Sequence, residues 1–494
     1  MPLLSRTGTH KMKTTRRLIY IYLILLCTVI PLYMKEGYYK LGEAKGVLFL
    51  ILSGTFFVAS IVALLVTKTK FGPGILGTLL FSNIVSFLFS DYKETSFLGL
   101  SGWRMGFLSV LFMIFFAALL SEGIKLSRYL VAVFMIIPFA IAVLGILGRF
   151  GIYPLGVYAD DGSFISTLGN INWFTGYLSV FVPLGVGIAA TRKIFSAEFF
   201  LSEVYVITGL IALLLQGSES GLLIILGTYF FLLFICLGER ALFKVFLTQL
   251  FTLGMSMTIV FLLMLFFGRN YTYDSNILIA LCERHLGLIL MAAAFFMYRL
   301  SRFMEEISFS WKKTLYRRGL VILVLAGVAA ASVLLLGTFS DDFGNGRGII
   351  WRMSFDMYLS LSPIRKLLGV GQDSYYPYAY SDPFWSESLI NVFGGNRLTN
   401  AHNMYLTLLI EGGVVGLFSY IFVFGYTLFN LVKESDKKKH AAMICALPIF
   451  AYLINGFVSF STVVSTPYVF MILGYALFVI KKDKSIIKQD QAQQ

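Results

Sequence analysis

The chain of 494 residues predicts an all-α, polytopic integral membrane protein. The expected architecture is a helical bundle of about 12 to 14 transmembrane helices with one large extracytoplasmic loop. Three observations predict it. Hydrophobic residues make up 58% of the chain and charged residues 13%, and the mean hydropathy of +0.81 lies far from that of a soluble globular protein. Apolar runs of roughly 20 residues, the length that a ~30 Å hydrocarbon core requires of a helix, recur from end to end. These runs are too long for barrel strands and show no strand alternation, and in lipid only helices or closed barrels satisfy every backbone polar group.

The candidate spans centre near Leu26, Gly54, Leu80, Phe112, Ile137, Val180, Ile211, Leu226, Met255, Met291, Ala326, Tyr420, Phe450 and Leu473. The first follows Lys11, Lys13, Arg16 and Arg17, as a signal peptide would. No small-residue cleavage site comes after it, and Leu26 precedes Cys27 where a lipoprotein site needs a small residue, so it reads as an uncleaved signal anchor. With the amino terminus inside, the inner segments carry 27 Lys and Arg and the outer segments 12. That asymmetry puts both termini in the cytoplasm and accounts for the net charge of +14. The basic residues are dispersed over short loops, which argues against nucleic-acid binding.

Cys27, Cys236, Cys282 and Cys445 lie inside apolar runs at unrelated spacings and read as packing residues. No internal repeat is visible, and the chain reads as a single multi-pass domain, 1–494. One connection breaks the pattern of short loops. Residues 338–401 form a large outer loop holding Arg347, Arg352, Arg365 and Arg397 among Trp351, Tyr375, Tyr376, Tyr378, Tyr380 and Trp385. Within it, Ile350, Met353, Met357 and Leu361 recur at helical spacing, which predicts an amphipathic helix over 347–361 at the membrane surface. Arg352 is set to pair with Asp356. The aromatic residues suit either an interfacial belt or stacking against sugar rings.

The order of motifs then becomes informative. Gly169-Asn170-Ile171-Asn172-Trp173-Phe174 opens a mid-chain span. Downstream come Arg347 with Trp351, Leu368-Gly369-Val370-Gly371, and Ala401-His402-Asn403 leading into Leu409, Glu411, Gly413, Gly416 and Leu417. This region, about 165–425, resembles the O-antigen ligase and polymerase family of bacterial envelopes. The resemblance implies a metal-independent, inverting glycosyltransferase without a cofactor. Such an enzyme moves a glycan from an undecaprenyl-diphosphate carrier to the hydroxyl of a glycan, lipid or protein acceptor at the outer face of the cytoplasmic membrane. It places the family's essential histidine at His402 and its diphosphate-binding arginine at Arg347, with Asn403, Glu411 and Gly413 in supporting structural roles. One position departs: where the family has serine followed by arginine, the chain reads Gly217-Ser218-Glu219-Ser220-Gly221.

The chemistry agrees. Transfer from a lipid diphosphate needs an acceptor oxygen made nucleophilic, and a histidine titrating near neutrality can take its proton. The departing diphosphate needs fixed positive charge, which a guanidinium supplies with two parallel hydrogen bonds. Cys282-Glu283-Arg284-His285 falls about eight residues beyond Asn276, roughly 12 Å into a straight helix. Arg284 is therefore a second candidate for the diphosphate, or a partner for Glu411 at similar depth. Metal chemistry has weak support: Asp160-Asp161, Asp274 and Asp341-Asp342 read as solvated loop acids. The competing function is a lipid-linked oligosaccharide flippase or transporter, which would favour two halves of similar hydropathy, and none is seen. Peptidoglycan polymerases of similar span count lack this histidine-asparagine motif.

Overall fold

The computed structural model describes residues 13–69, 71–124, 127–159, 161–237, 239–274, 276–306, 319–320, 341, 343–395, 397–434 and 439–491. The described chain is mainly helical, with almost no strand. It runs through α1 (Lys13–Leu32), α2 (Leu41–Val66), α3 (Leu76–Phe89), the short α4 (Lys93–Leu98), α5 (Phe107–Ser121) and α6 (Arg128–Arg149). A minimal antiparallel hairpin, β1 (Phe164–Ile165) with β2 (Gly169–Asn170), leads into α7 (Ile171–Ala190). Then follow α8 (Ala197–Leu215), α9 (Ser220–Cys236), α10 (Arg240–Phe267), α11 (Ile277–Glu283) and α12 (Leu286–Glu306). The remainder comprises α13 (Phe343–Ser360), α14 (Pro363–Leu368), α15 (Tyr375–Ser381), α16 (Pro383–Phe393), α17 (Met404–Glu434), α18 (Lys439–Asn455) and α19 (Thr466–Gln491).

Seven helices, α1, α2, α6, α7, α8, α10 and α17, are long and apolar enough to cross a membrane. The pair α11 and α12 would make an eighth, and five shorter apolar helices of 10–17 residues join the bundle. Together they occupy every expected span position except the one centred on Ala326, which lies outside the described residues. The protein is thus an all-α, multi-pass helical protein suited to a bilayer.

Apolar burial drives helix association weakly where the surrounding lipid is equally apolar, so close approach and polar contacts carry more of the work. Helix α7 is the most enclosed, buried continuously from Phe174 to Ala190 and packed against α8 and α18. Gly254 on α10 and Gly287 on α12 let those helices touch backbone to backbone, and a Cβ on either would meet the carbonyl of the other. Inter-helix hydrogen bonds add roughly 0.6 to 2 kcal/mol each. Tyr22 and Ser53 pair through their hydroxyls at 2.7 Å. The buried Glu203 carboxylate accepts from Gln249 at 2.5 Å and Thr252 at 2.7 Å, as an acid at membrane depth requires.

Segments that the charge count assigns to one side gather at one end of the bundle. There the Tyr38 hydroxyl donates to Ser166 O at 2.7 Å, Thr272 N to Arg149 O at 2.9 Å, Leu100 N to Asp373 Oδ2 at 2.7 Å, and Met404 N to Gly456 O at 2.8 Å. Segments assigned to the other side meet one another too, with Lys481 paired to Glu122 at 2.9 Å.

The expected large loop is, in its described part, four helices (α13–α16) around a second apolar core. Ile350, Met353, Met357 and Leu361 are buried as their spacing predicts, but against Val370, Tyr375, Leu389, Leu398 and Ile410. The apolar face of α13 is therefore spent inside this cap rather than laid on lipid. Arg352 pairs with Asp341 at 2.7 Å, not with Asp356. Three of the tyrosines serve neither a belt nor an open stacking surface. Tyr375 is buried with its hydroxyl 2.8 Å from Ser354, Tyr378 donates to Met357 O at 3.1 Å, and Tyr380 accepts from Leu398 N at 3.1 Å.

Candidate functional site

The site is built where the cap meets the mouths of α7 and α17. Two asparagines set the second mouth. Asn400 accepts from His402 N at 2.9 Å, and Asn403 accepts from Tyr405 N at 3.0 Å and Leu406 N at 3.1 Å, capping the first turn of α17. Between them His402 takes a left-handed backbone, φ 47°. That conformation costs a non-glycine residue roughly 1–2 kcal/mol, and it turns the residue away from the helix axis just before the helix begins. Asn170 plays the same capping part for α7, accepting from Asn172 N at 2.8 Å.

His402, Arg347, Arg397 and Asn172 line one open cavity of about 350 Å³, together with Ile350, Phe393 and Leu398. The imidazole stands edge-on to Phe460, ring centres 5.2 Å apart. Phe460 in turn meets Trp103 at 5.1 Å, and Trp103 meets Trp173 at 5.4 Å. This aromatic wall and the rest of the cap bury the imidazole, and Arg347 adds a like charge. Both effects disfavour the imidazolium, taking its pKa down to about 4. The residue is therefore neutral at physiological pH, and it titrates well below the near-neutral range expected from the sequence, which leaves the imidazole a weaker proton acceptor than a free histidine. Burial also lowers the pKa of Arg347, while Glu219 opposes that shift by favouring its charge. Glu219, the carboxylate in the Gly217–Gly221 turn, thus acts electrostatically on Arg347.

Sequence reasoning set Arg397 among the loop arginines without a role. The structure puts it on the cavity, with its guanidinium 5.8 Å from the Tyr376 ring centre. Arg365 is engaged with Asp91 at 2.6 Å and Arg352 with Asp341, so neither borders this cavity. Arg284 is elsewhere. Asn276 caps α11 as the boundary predicts, but the helix breaks after Glu283, and α11 and α12 meet at 65° with His285 at φ 58°. The straight-helix depth of 12 Å does not apply across such an elbow, and Arg284 is exposed there.

Glu411 faces Asp373, not Arg284. Its carboxylate accepts from Tyr375 N at 3.2 Å, and both acids line a second cavity of about 110 Å³ with Asn83, Gln372, Asn400 and Thr407. The other oxygen-rich end of this pair is fixed as well: Asp373 Oδ2 accepts from Leu100 N and, at 3.0 Å, from Met105 N. Burial still pushes the Asp373 carboxyl up to about 6, against the pull of those amides and of Arg104. The supporting backbone comes from two motifs locked together. Val370 N donates to Ile410 O and Gly371 N to Glu411 O, both at 3.0 Å, and α17 is kinked at Gly413, φ 64°. A Cβ at Gly413 would strike the backbone of Leu367, and one at Gly369 the carbonyl of Glu411. Gly413 and Gly369 are the close-approach positions; Gly412 and Gly416 instead border the second cavity.

Among the described residues, no three His, Cys, Asp or Glu side chains come together to hold a metal ion. No family model matches the chain, and no curated protein matches it.

Proposed function

We propose that the protein is a multi-pass glycosyltransferase of the O-antigen ligase and polymerase type. On this reading it lies in the bacterial cytoplasmic membrane, with its termini inside and the His402 cavity outside. It takes a glycan from undecaprenyl diphosphate and passes it to an acceptor hydroxyl. The observation that carries the reading is the one cavity lined by a neutral imidazole, by Arg347, whose charge acts on it, and by the exposed Arg397, beside Asn172. A base without positive charge nearby would suit many reactions; a base beside a guanidinium, with a second arginine on the same cavity, suits departure of a polyanion.

In the proposed step the acceptor oxygen attacks the anomeric carbon as its proton passes to His402. The bond from that carbon to the diphosphate oxygen breaks, and the lipid diphosphate leaves with the electron pair. Arg347 and Arg397 stabilise the charge that develops on it. A single displacement of this kind inverts the anomeric centre. Glu219 holds Arg347 charged before the donor arrives, and the diphosphate replaces it as the counter-ion.

The test supplies membranes containing the protein with undecaprenyl-diphosphate-linked repeat units and an acceptor. A ladder of products is expected from a polymerase and single-step transfer from a ligase. Movement of intact lipid-linked glycan across the bilayer without any new glycosidic bond would support the flippase reading and defeat this one.

A further inference from the structure

A third cavity, of about 240 Å³, lies at the same end of the bundle, lined by Tyr38, Tyr153, Ser166, Thr167, Thr272 and Arg149. Arg149 ends α6 and is only 2% exposed. It donates to Gly162 O at 2.6 Å and to Gln216 O, and its guanidinium lies 4.5 Å from the Tyr273 ring centre. Its Nε has no hydrogen-bond partner. The titratable groups around it are tyrosines, Tyr271, Tyr273, Tyr153 and Tyr38, and among the described residues no carboxylate pairs with it. A buried cation without a counter-ion is one of the costliest arrangements a protein can keep. Carbonyls and a ring face offset that cost in part; they do not neutralise the charge.

The rest of the wall has a definite chemistry. The hydroxyls of Tyr38, Ser166 and Thr167 all spend their protons on backbone carbonyls, those of Ser166, Ile141 and Pro31 respectively. Their oxygens are left as acceptors, suited to ligand hydroxyl groups. Tyr38 and Tyr153 add the amphipathic ring surface that sugar faces pack against. The volume falls below the roughly 300–1,000 Å³ of drug-sized pockets, which limits the occupant to about one monosaccharide.

We infer that this cavity is a glycan subsite for an acidic sugar, a carboxylate-bearing monosaccharide unit whose charge is balanced by Arg149. The inference rests on the glycosyl-transfer reading for the source of the sugar. The cavity is also tied to the His402 site through hydrogen bonds. Arg149 holds Gln216, whose amide oxygen accepts from Ser218 N at 2.7 Å, and the Ser218 hydroxyl lies 3.5 Å from Asn172 Oδ1. An acidic unit at Arg149 would therefore bear on the turn that carries Glu219.

Binding can be read without turnover, so failure of the transfer assay and failure of this subsite are distinguishable. The full-length protein in zwitterionic nanodiscs is titrated by saturation-transfer NMR with methyl glucuronoside, methyl glucoside and inorganic phosphate. The glucuronoside is expected to bind saturably, at least tenfold more tightly than the glucoside. That preference should disappear in Arg149→Gln and in the cavity-filling Val157→Trp, which leaves Arg149 in place, while Arg347→Gln retains it. Equal binding of acidic and neutral sugars overturns the inference, as does unchanged glucuronoside binding in folded Val157→Trp. Phosphate binding alone, or displacement of the glucuronoside by phosphatidylglycerol added to the nanodisc, would assign the charge to a phosphate or a lipid headgroup and defeat the acidic-sugar proposal.

Discussion

His402 carries the account at the scale of single residues, and its environment makes the pH dependence specific. Burial first and Arg347 second hold its pKa at about 4 in the donor-free protein. Because kcat/KM reports the free enzyme, it should stay level as pH falls from 8 to about 5 and decline only toward 4. An unperturbed histidine would decline near 6.5. A bound diphosphate cancels the repulsion from Arg347, which raises the pKa in the complex, so kcat should begin to fall at a higher pH than kcat/KM. Parallel initial-rate profiles from pH 4 to 8 check both signs. A shared inflection near 6.5 would mean that the cavity does not perturb the imidazole. The place of His402 at a helix mouth was legible in the sequence because a boundary flanked by asparagines stands out in an apolar chain. Its aromatic wall was not, since Trp103 and Phe460 come from distant turns and carry no local signal.

Among the elements, the kinked helix α17 joins the two cavities. His402 immediately precedes its first turn, and further along, before the bend at Gly413, Glu411 meets Asp373 where the Gly369-Val370-Gly371 backbone bonds to Ile410 and Glu411. Two adjacent glycines should therefore respond oppositely to alanine. At Gly413, the positive φ and the contact with Leu367 make Gly413→Ala costly, on the order of 3 kcal/mol. At Gly412 a Cβ meets nothing within 4 Å, so Gly412→Ala should be neutral or should gain roughly 0.5–1 kcal/mol from helix propensity. Thermal unfolding of both variants in detergent measures this, and equal shifts would contradict the assigned packing. Gly413 was readable as a supporting structural position, but its partner was not: the contact is with the short α14 and the turn after it. Likewise the expected pairing of Glu411 with Arg284 relied on equal depth in straight helices, and the elbow at His285 removes that premise.

At the scale of the whole molecule, composition and apolar spacing were sufficient for the helical class because a bilayer leaves few alternatives. Connecting segments that alternate along the chain meet at the same end of the bundle, as successive membrane crossings require. What sequence spacing could not convey was the cap. Residues from 343 to 393 read as a loop with one surface helix, yet they form four helices with their own apolar core, because burial there depends on contacts between short segments rather than on length. That cap supplies one wall of the open cavity at His402, and the central claim is that glycosyl transfer occurs there. The most direct measurement is turnover of lipid-diphosphate-linked glycan by the purified protein in nanodiscs, wild type against His402→Ala. The account predicts a loss of roughly 10² to 10⁴ in kcat with the variant still folded; turnover within a few-fold of wild type would contradict it.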